Sequence, residues 1–402
     1  MTKVAIVRCE DYEPGRVQDA VRQALDLIGG LGRVVGAGQR VLLKPNLLRA
    51  APPTRAVTTH PAIIRAMVAA VREAGAIPWV GDSPGGVQWN VTDRVLEETE
   101  VGPAARDAGA EIKDFEASGA EAVECPDAVV LKRFGLARAV READVVVSLP
   151  KLKTHCQLLY TGAVKNLLGC LPGGGKIRVH QLAAKASTLS AALLDIYAVV
   201  RPRLALIDGI LAMEGEGPSH GKPRHLGLLI ASEDSVAADA VACHVIGYPP
   251  RAVPLLRQAE ERGLGVGDLR KIEVVGVPLE EAVVRDFVRP SNFAFEMIPG
   301  FLMKLIGSGV SVRPEIVQEL CRKCGMCQRS CPAEAIEGVN LPQVSNLREV
   351  RLAIDHAKCV RCFCCHELCP HDAIALRRSW FIRLYDFMRH RKKKRKGNAP
   401  TA

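Results

Sequence analysis

Cysteine is the residue type whose spacing predicts the clearest chemistry in this chain of 402 residues. Nine of the 14 cysteines fall between residues 321 and 369. Eight of those nine form two runs of the pattern C-x2-C-x2-C-x3-C-P, and the second run repeats the first at an offset of 38 residues. This repetition indicates an internal duplication. Clustered cysteines in a chain without the marks of a short secreted protein point to metal rather than to disulfides.

The spacing within each run predicts the ligands of two iron–sulfur clusters. Three thiolates in one tight loop can hold three irons of a [4Fe–4S] cubane, and the last cysteine of the other run supplies the fourth ligand. The predicted ligands are Cys321, Cys324, Cys327 and Cys369 for cluster 1, and Cys359, Cys362, Cys365 and Cys331 for cluster 2. Zinc sites usually present cysteines as C-x2-C pairs, so this pattern disfavours zinc. Cys364 is the ninth cysteine, and we predict that it is a spare neighbour rather than a ligand.

The composition predicts a folded protein with more than one structural unit. Charged residues make up 24% of the chain and hydrophobic residues 48%, which excludes a disordered protein. No run of about 18 apolar residues occurs, so no transmembrane segment is expected. The first residues lack the charged, apolar and small-residue order of a signal peptide. We therefore expect a cytoplasmic protein that is at most peripheral at a membrane.

The net charge of +10 is concentrated at one end of the chain. Residues 371–402 contain ten Lys and Arg residues against two acids, whereas the first 370 residues carry a net charge of only +2. This distribution disfavours a globally basic nucleic-acid-binding protein. The aromatic residues before the basic run predict either a helix on an anionic membrane surface or a helix packed on the protein. The partner of the basic run stays open between lipid, nucleic acid and an acidic redox protein.

The chain before the cysteine runs predicts an α/β fold, because short β-branched segments alternate with longer helical patterns. Near-continuous apolar strands separated by helices are typical of a mostly parallel sheet with helices on both faces. The predicted strands are Val4–Val7, Val41–Lys44, Ile77–Gly81, Val129–Lys132, Val145–Leu149, Leu204–Ile207, Leu226–Ile230 and Ile272–Val275.

Four regions follow from these patterns. Residues 1–284 form the α/β body, and residues 285–313 form an apolar linker. Residues 314–376 are predicted to form a small C-terminal domain that holds the two clusters, and residues 377–402 an aromatic and basic tail.

Polar side chains follow several predicted strands of the body. Ligands of doubly wound sheets bind beyond the carboxyl ends of the strands, so these side chains predict a site at one edge. The predicted catalytic residues are Lys153, His155 and Asp82, with Lys153 or His155 as the proton donor. The predicted ligand-binding residues are Lys44, Asn46, Ser83, Lys151, Thr154, Lys165, Asn166 and Asp208.

The residue types at this edge suit an anionic small molecule. Lysines and amides recognise phosphate or carboxylate groups, whereas Asp82 and Asp208 could coordinate a cation or act as bases. Taken singly, a lysine at a strand end is usually a solvated charge, and an aspartate there commonly caps the next helix. Two nucleotide signatures are not met. Gly173–Lys176 resembles the end of a Walker loop, but Cys170 stands where the first glycine is required and Ile177 where Ser or Thr is required. No G-x-G-x-x-G follows the first strand, so a Rossmann dinucleotide site is not predicted.

Two family resemblances cover nearly the whole chain. The region of the two cysteine runs resembles a bacterial-type two-cluster ferredoxin domain, and this resemblance implies a small α+β ferredoxin-like fold for residues 314–376. The body resembles domain-of-unknown-function family 362, which is often fused to such a module. This second resemblance rests on residues 44–46 (KPN), 81–85 (GDSPG), 149–155 (LPKLKTH), 162–169 (GAVKNLLG), 208–209 (DG) and 214–218 (EGEGP). It implies no agreed reaction.

These observations lead to a hypothesis of an iron–sulfur protein that uses two [4Fe–4S] clusters for electron transfer. A ferredoxin-coupled oxidoreductase would act on an anionic small molecule in the body and would exchange electrons with a redox partner protein. The alternative is a non-catalytic electron carrier or assembly partner that docks another redox protein. A nucleic-acid-associated iron–sulfur protein is a third hypothesis, and it rests on the tail alone.

Overall fold

The computed structural model describes residues 1–85, 91–183, 185–290, 312–338 and 351–379. Its largest element is a ten-stranded sheet with the order β12-β1-β11-β10-β7-β2-β3-β4, to which β8 and β9 are joined at β10. The strands of this sheet are β1 (Thr2–Arg8), β2 (Arg40–Pro45), β3 (Ile77–Asp82), β4 (Glu111–Asp114), β7 (Val145–Leu149), β8 (Lys151–His155), β9 (Leu159–Thr161), β10 (Leu204–Glu214), β11 (Lys222–Ser232) and β12 (Ile272–Gly276). A separate hairpin consists of β5 (Ala120–Glu124) and β6 (Arg133–Ala137).

Helices cover both faces of the sheet and bury its apolar side chains. Helices α1, α2 and α4 pack on one face, and helices α9, α10 and α11 pack on the other. The helices of the body are α1 (Pro14–Leu27), α2 (Pro61–Glu73), α3 (Val91–Glu98), α4 (Val101–Asp107), α5 (Phe115–Ser118), α6 (Arg138–Glu142), α7 (Ala163–Asn166), α8 (Gly175–Leu182), α9 (Ala186–Val200), α10 (Ser235–Val245), α11 (Pro254–Glu261) and α12 (Leu279–Ala282). Among the eight strands from β12 to β4, only β11 is antiparallel to its neighbours. The predicted mostly parallel architecture is therefore confirmed.

The direction of the chain crossings reverses between β2 and β7. From β2 the chain moves to β3 and β4 on one side, whereas from β7 it moves to β10 on the other side. Ligands of open α/β sheets bind beyond the carboxyl ends of the strands at such a switch point. Pro45 ends β2 there, and Pro150 separates β7 from β8, because proline cannot donate to a neighbouring strand. Strand β8 then continues past this edge in the direction of β10.

The C-terminal region forms a small α+β unit, as predicted. Strand β13 (Val312–Ile316) pairs antiparallel with β16 (Ile374–Arg378), and β14 (Ile336–Glu337) pairs with β15 (Ala353–Ile354). One short helix follows each cysteine loop, namely α13 (Met326–Arg329) and α14 (Cys364–Leu368). The unit thus repeats a loop followed by a helix, in agreement with the duplicated sequence.

The predicted strand Val129–Lys132 is wrong. This segment is a loop, and the backbone N–H groups of Val129, Val130 and Leu131 donate to the buried carboxylate of Asp195 at 2.8–3.1 Å. Arg262 pairs with the same carboxylate at 2.8 Å. A side chain from α9 therefore satisfies the backbone donors that a neighbouring strand would otherwise have taken.

Most of the predicted linker and tail lies outside the described residues. Residues 291–311 and 380–402 are not described, so the boundaries of the linker, the ferredoxin-like domain and the tail stay predictions. No helix among the described ranges is long and apolar enough to cross a membrane.

Candidate functional site

Lys44 and Asp82 form a buried ion pair at the switch point of the sheet. Lys44 Nζ donates to Asp82 Oδ1 at 2.7 Å, and neither side chain is more than 2% exposed. Burial raises the pKa of Asp82 above its usual value, although Lys44 and the N–H of Leu47 oppose this rise. Asn166 completes the arrangement, because its Nδ2 donates to the carbonyl of Lys44 at 3.0 Å. Three of the predicted site residues therefore bind one another.

A second buried ion pair joins Lys151 and Asp208, and it includes a tyrosine that the sequence analysis missed. Lys151 Nζ lies 2.7 Å from Asp208 Oδ2 and donates to the hydroxyl of Tyr12 at 2.8 Å. The hydroxyl donates to Asp208 Oδ1 at 2.7 Å. Burial, followed by the charge of Asp208, raises the pKa of Tyr12 well above its usual value. Tyr12 follows β1 just as the predicted residues follow their strands, so its position was the signal that could have identified it.

A cavity of about 320 Å³ opens beside this second pair. Tyr12 and His60 line it, with their rings stacked at a centroid distance of 3.5 Å and an interplanar angle of 8°. The backbone N–H of His60 donates to Asp208 Oδ2 at 3.0 Å. The Lys151–Asp208 pair thus supports an aromatic wall of this cavity.

Lys153 is buried without a carboxylate partner. Residues two apart in a strand point to the same side, so Lys151, Lys153 and His155 share one face of β8. Lys153 Nζ donates to the carbonyl of Val57 at 2.7 Å, and it forms no ion pair with any carboxylate among the described residues. Burial, followed by the charge of the half-buried Lys165, lowers the pKa of Lys153 well below its usual value. An anion next to this amine would favour its charged form.

His155 meets Glu367 of α14 across the contact between the body and the cysteine-rich unit. His155 Nε2 lies 3.1 Å from Glu367 Oε1, and both side chains are buried. Burial, followed by the charge of Lys165, lowers the pKa of His155 to about 4. Burial disfavours the charged form of Glu367, but His155 and Lys165 outweigh that effect, so its pKa lies below the usual value. The pair is therefore a neutral imidazole beside an ionised carboxylate.

The tautomer of His155 argues against a metal ion at this place. His155, Cys156 and Glu367 offer three ligand atoms within 4.8 Å of one another. However, His155 Nδ1 accepts the backbone N–H groups of Gln157 and Leu158 at 3.0 and 3.1 Å. A neutral ring that accepts at Nδ1 carries its proton on Nε2, and a protonated nitrogen cannot bind metal. His155 Nε2 instead lies 3.1 Å from Glu367 Oε1, and neither atom has a hydrogen-bond partner among the described residues.

Further contacts hold the cysteine-rich unit against the carboxyl edge of the sheet. Asp372 lies 3.3 Å from both Arg49 and Arg55, and 2.9 Å from His220 Nε2. Ser219 Oγ donates to the carbonyl of Glu367 at 2.7 Å. This unit therefore covers the edge that carries the predicted site residues.

The remaining predicted residues take different positions. Ser83 hydrogen-bonds to Glu116 and Lys176, apart from the β8 face. Thr154 lies on the opposite face of β8, where its hydroxyl donates to the carbonyl of Met213 at 3.4 Å. The backbone N–H of Asn46 donates to Thr59 Oγ1 at 2.8 Å. The predicted catalytic set is also divided, because Asp82 belongs to the Lys44 pair and not to the β8 face.

Several buried polar atoms near the Lys153 face have no hydrogen-bond partner among the described residues. They include Asn46 Oδ1, Thr58 Oγ1 and His180 Nδ1, together with His155 Nε2 and Glu367 Oε1 of the contact described above. Thr58 follows Val57, whose carbonyl accepts the hydrogen bond from Lys153. His180 lies near the same charged groups, because its pKa is lowered first by burial and is then affected by the charges of Glu367 and Lys165. Buried polar atoms in folded proteins nearly always have a partner, so this group is suited to a polar ligand.

The eight predicted cluster ligands lie in two groups. Burial, followed by the charges of Cys369, Cys324 and Cys321, raises the pKa of Cys327 to about 12. Burial also raises the pKa of Cys359, with Cys362 and Cys331 as charged neighbours. Metal ions between these sulfurs would favour the thiolate forms, which are the forms that bind iron. Among the described cysteines no three sulfurs lie within 4.8 Å of one another, and the cysteine ligands of a [4Fe–4S] cluster bind different irons rather than one shared ion.

The two cysteine groups share a second feature. The backbone N–H of Ala335 donates to Cys331 Sγ at 3.2 Å, and that of Ala373 donates to Cys369 Sγ at 3.3 Å. Each of these cysteines is the last of its run, so the same hydrogen bond occurs in both halves of the duplicated unit. Hydrogen bonds to cluster sulfurs tune the reduction potential.

This combination of a doubly wound α/β body and a cysteine-rich unit defines a class of iron–sulfur proteins. The family model for a domain of unknown function, DUF362, matches residues 41–244, and the chain belongs to this family. The model for a 4Fe-4S dicluster domain matches residues 320–374. Both resemblances predicted from the sequence are confirmed, and we call the second unit the dicluster domain below.

Known proteins that are similar to this chain include the following two. Thylakoid-associated protein sll1697 of Synechocystis sp. is 38% identical over 262 residues, which cover 65% of this chain and 79% of that protein. The lactate racemase apoprotein of Thermoanaerobacterium thermosaccharolyticum superimposes with a TM-score of 0.40 at 10% identity. That match covers 61% of this chain and 56% of the racemase, and a likeness at this level carries no argument about function.

Proposed function

We propose that this protein is an iron–sulfur oxidoreductase whose two [4Fe–4S] clusters exchange electrons with an anionic small molecule bound at the carboxyl edge of the sheet. The observation that carries this proposal is the 3.1 Å contact between His155 and Glu367. Glu367 lies on α14 between the predicted ligands Cys365 and Cys369, and His155 lies on the face of β8 that carries Lys153. The cluster-binding helix and the candidate ligand site thus meet inside a buried contact.

The clusters, when bound, would supply or accept one electron at a time. The residues of the chain would perform the remaining tasks. Lys153 would bind an anionic group, because its amine has no carboxylate partner and lies near the charge of Lys165. His155 would hold a proton on Nε2 beside the carboxylate of Glu367, its ring oriented by the N–H groups that donate to Nδ1, and the buried edge would exclude water from the reaction.

The two ion pairs support this site rather than take part in the chemistry. Lys44 is neutralised by Asp82, and Lys151 is neutralised by Asp208. A lysine that already has a buried carboxylate partner gains little from a second anion. Lys153 is therefore the member of the predicted lysine set that is best suited to a ligand.

The location of the protein is part of the proposal. The name of the Synechocystis relative associates that protein with thylakoids, and the basic run at residues 389–396 suits an anionic membrane surface. We propose a peripheral association of this chain through its tail. Sedimentation with anionic vesicles tests it, because a chain ending at residue 379 should stay in the supernatant.

Native mass spectrometry of anaerobically purified protein tests the redox proposal. We expect the mass of two clusters, about eight irons and eight sulfides, together with an additional mass for a ligand. Lys153→Met should lose the additional mass and keep both clusters. Lys222→Met, which changes an exposed lysine of β11, is the matched control and should keep both.

The released ligand should change the oxidation state of the clusters when it is returned to ligand-free protein, and Lys153→Met should not respond. Full clusters with no additional mass would favour the non-catalytic carrier. Zinc, or a single cluster, would contradict the assignment of the cysteines.

A further inference from the structure

The two cluster loops have diverged although they arose by duplication. At an offset of 38 residues, Gly325 of the first loop corresponds to Phe363 of the second. Both residues have positive φ angles, 71° and 61°, in a region that glycine adopts readily and phenylalanine rarely does. A bulky residue is retained at such a position only where its surroundings support it. The conformation of Phe363 is therefore expected to depend on the contacts of its side chain.

Phe363 binds the second loop to the body. Its side chain is 7% exposed and packs with Cys156, the neighbour of His155, and with Val312. Cys362, directly before it, is also 7% exposed. The loop of cluster 2 is therefore buried against the candidate ligand site from Cys362 onward, whereas Val360 and Arg361 before it are exposed.

The first loop is open to solvent and positively charged. Cys324 is exposed, and exposed Arg322 and Arg329 lie on either side of it in sequence. Arg329 also binds the loop directly, because its Nη2 donates to the carbonyl of Cys324 at 3.0 Å. Neither arginine forms an ion pair among the described residues, and the exposed acid closest to the loop in sequence is Glu319.

We propose that the open loop of cluster 1 is the docking surface for an acidic electron-carrier protein. The reduced carrier would lose one electron and cluster 1 would gain it, and cluster 2 would then pass it to the body. Only the last of these steps, the transfer of the electron to the body, rests on the proposed function. A basic surface around an exposed ligand steers an acidic partner and speeds its encounter, and redox partners typically form small, transient interfaces.

Stopped-flow reduction of the oxidised holoprotein tests the surface, with a reduced [2Fe–2S] ferredoxin of acidic surface as the probe. In Arg322→Glu/Arg329→Glu the second-order rate constant at low salt should fall at least about tenfold, and its salt dependence should weaken or reverse. The control is Arg313→Glu, a charge reversal on β13 of the same domain that places a carboxylate opposite Arg377. This variant should keep the wild-type rate within about twofold.

A second reductant separates docking from an effect on the clusters themselves. Photoreduction by 5-deazariboflavin, which needs no protein interface, should be the same in all variants, with iron content unchanged. An equal loss with 5-deazariboflavin would overturn the proposal, because the arginines would then tune the clusters. A wild-type rate with the ferredoxin probe, or an equal loss in Arg313→Glu, would overturn it as well. Normal reduction by the carrier without any response to ligand would instead contradict the proposed function and leave the docking surface intact.

Discussion

Lys151 and Lys153 lie two residues apart on the same face of β8, yet only Lys151 meets a carboxylate. Lys151 Nζ is 2.7 Å from Asp208, whereas Lys153 Nζ donates to a backbone carbonyl. Burial lowers the pKa of both amines, but Asp208 opposes that effect at Lys151. We therefore expect Lys151 to contribute to stability through its ion pair and Lys153 to contribute to ligand binding. Mutation can separate these two roles.

We expect Lys153→Met to leave the protein as stable as the wild type or up to about 2 kcal/mol more stable. Replacing a buried, unpaired amine by an apolar side chain of similar length removes the cost of burying it. Anaerobic urea unfolding at pH 7.5 measures this difference. A loss of several kcal/mol would mean that Lys153 is charged and paired in the folded protein.

Lys44→Met should destabilise the protein by about 3–5 kcal/mol, because it leaves the carboxylate of Asp82 buried without its partner. The double variant Lys44→Met/Asp82→Asn should recover part of this loss, since the amide can still accept the N–H of Leu47. A double-mutant cycle in urea unfolding gives the coupling energy of the pair. Additive effects of the two substitutions would contradict the ion pair.

The free energy of unfolding should fall as the pH decreases from about 6.5 towards 4. Burial lowers the pKa of His60, His155 and His180 to about 4 in the folded protein, whereas an unfolded histidine titrates near 6.5. The unfolded state therefore binds protons in this window and the folded state does not, so stability is present above pH 6.5 and is lost below it.

His180→Leu isolates one of these contributions. The fully buried His180 should account for up to about 3 kcal/mol of the acid loss, so its replacement should flatten the pH dependence of urea unfolding. His356→Asn, a change at an exposed histidine, should not alter it. An unchanged slope in His180→Leu would show that His180 is protonated in the folded protein.

Cys364→Ala should keep about eight irons per chain, whereas Cys365→Ala should lose iron from cluster 2. The two cysteines are adjacent and buried, but only Cys365 occupies a ligand position of the repeated pattern. Iron analysis after anaerobic purification, with electron paramagnetic resonance of the reduced protein, measures the difference. Equal losses in both variants would contradict the predicted ligand set.

The parallel sheet and the cysteine pattern could be predicted because each is a local property of the sequence. A run of β-branched residues indicates a strand, and the reach of a cysteine loop depends only on the few residues between its ligands. The same locality explains the failure at Val129–Lys132. These residues have strand character, but the buried carboxylate of Asp195 binds their backbone donors, and no local pattern indicates that contact.

The sequence by itself determined the family, the mostly parallel sheet and the residue types of the candidate site. Only the tertiary structure decided which lysines are neutralised, because Asp82 and Asp208 come from distant parts of the chain to Lys44 and Lys151. It also decided that Glu367, a residue between two cysteines, would meet His155. Charge pairing in a buried site depends on distances of a few ångströms between side chains, and those distances are set by the packing of the whole fold.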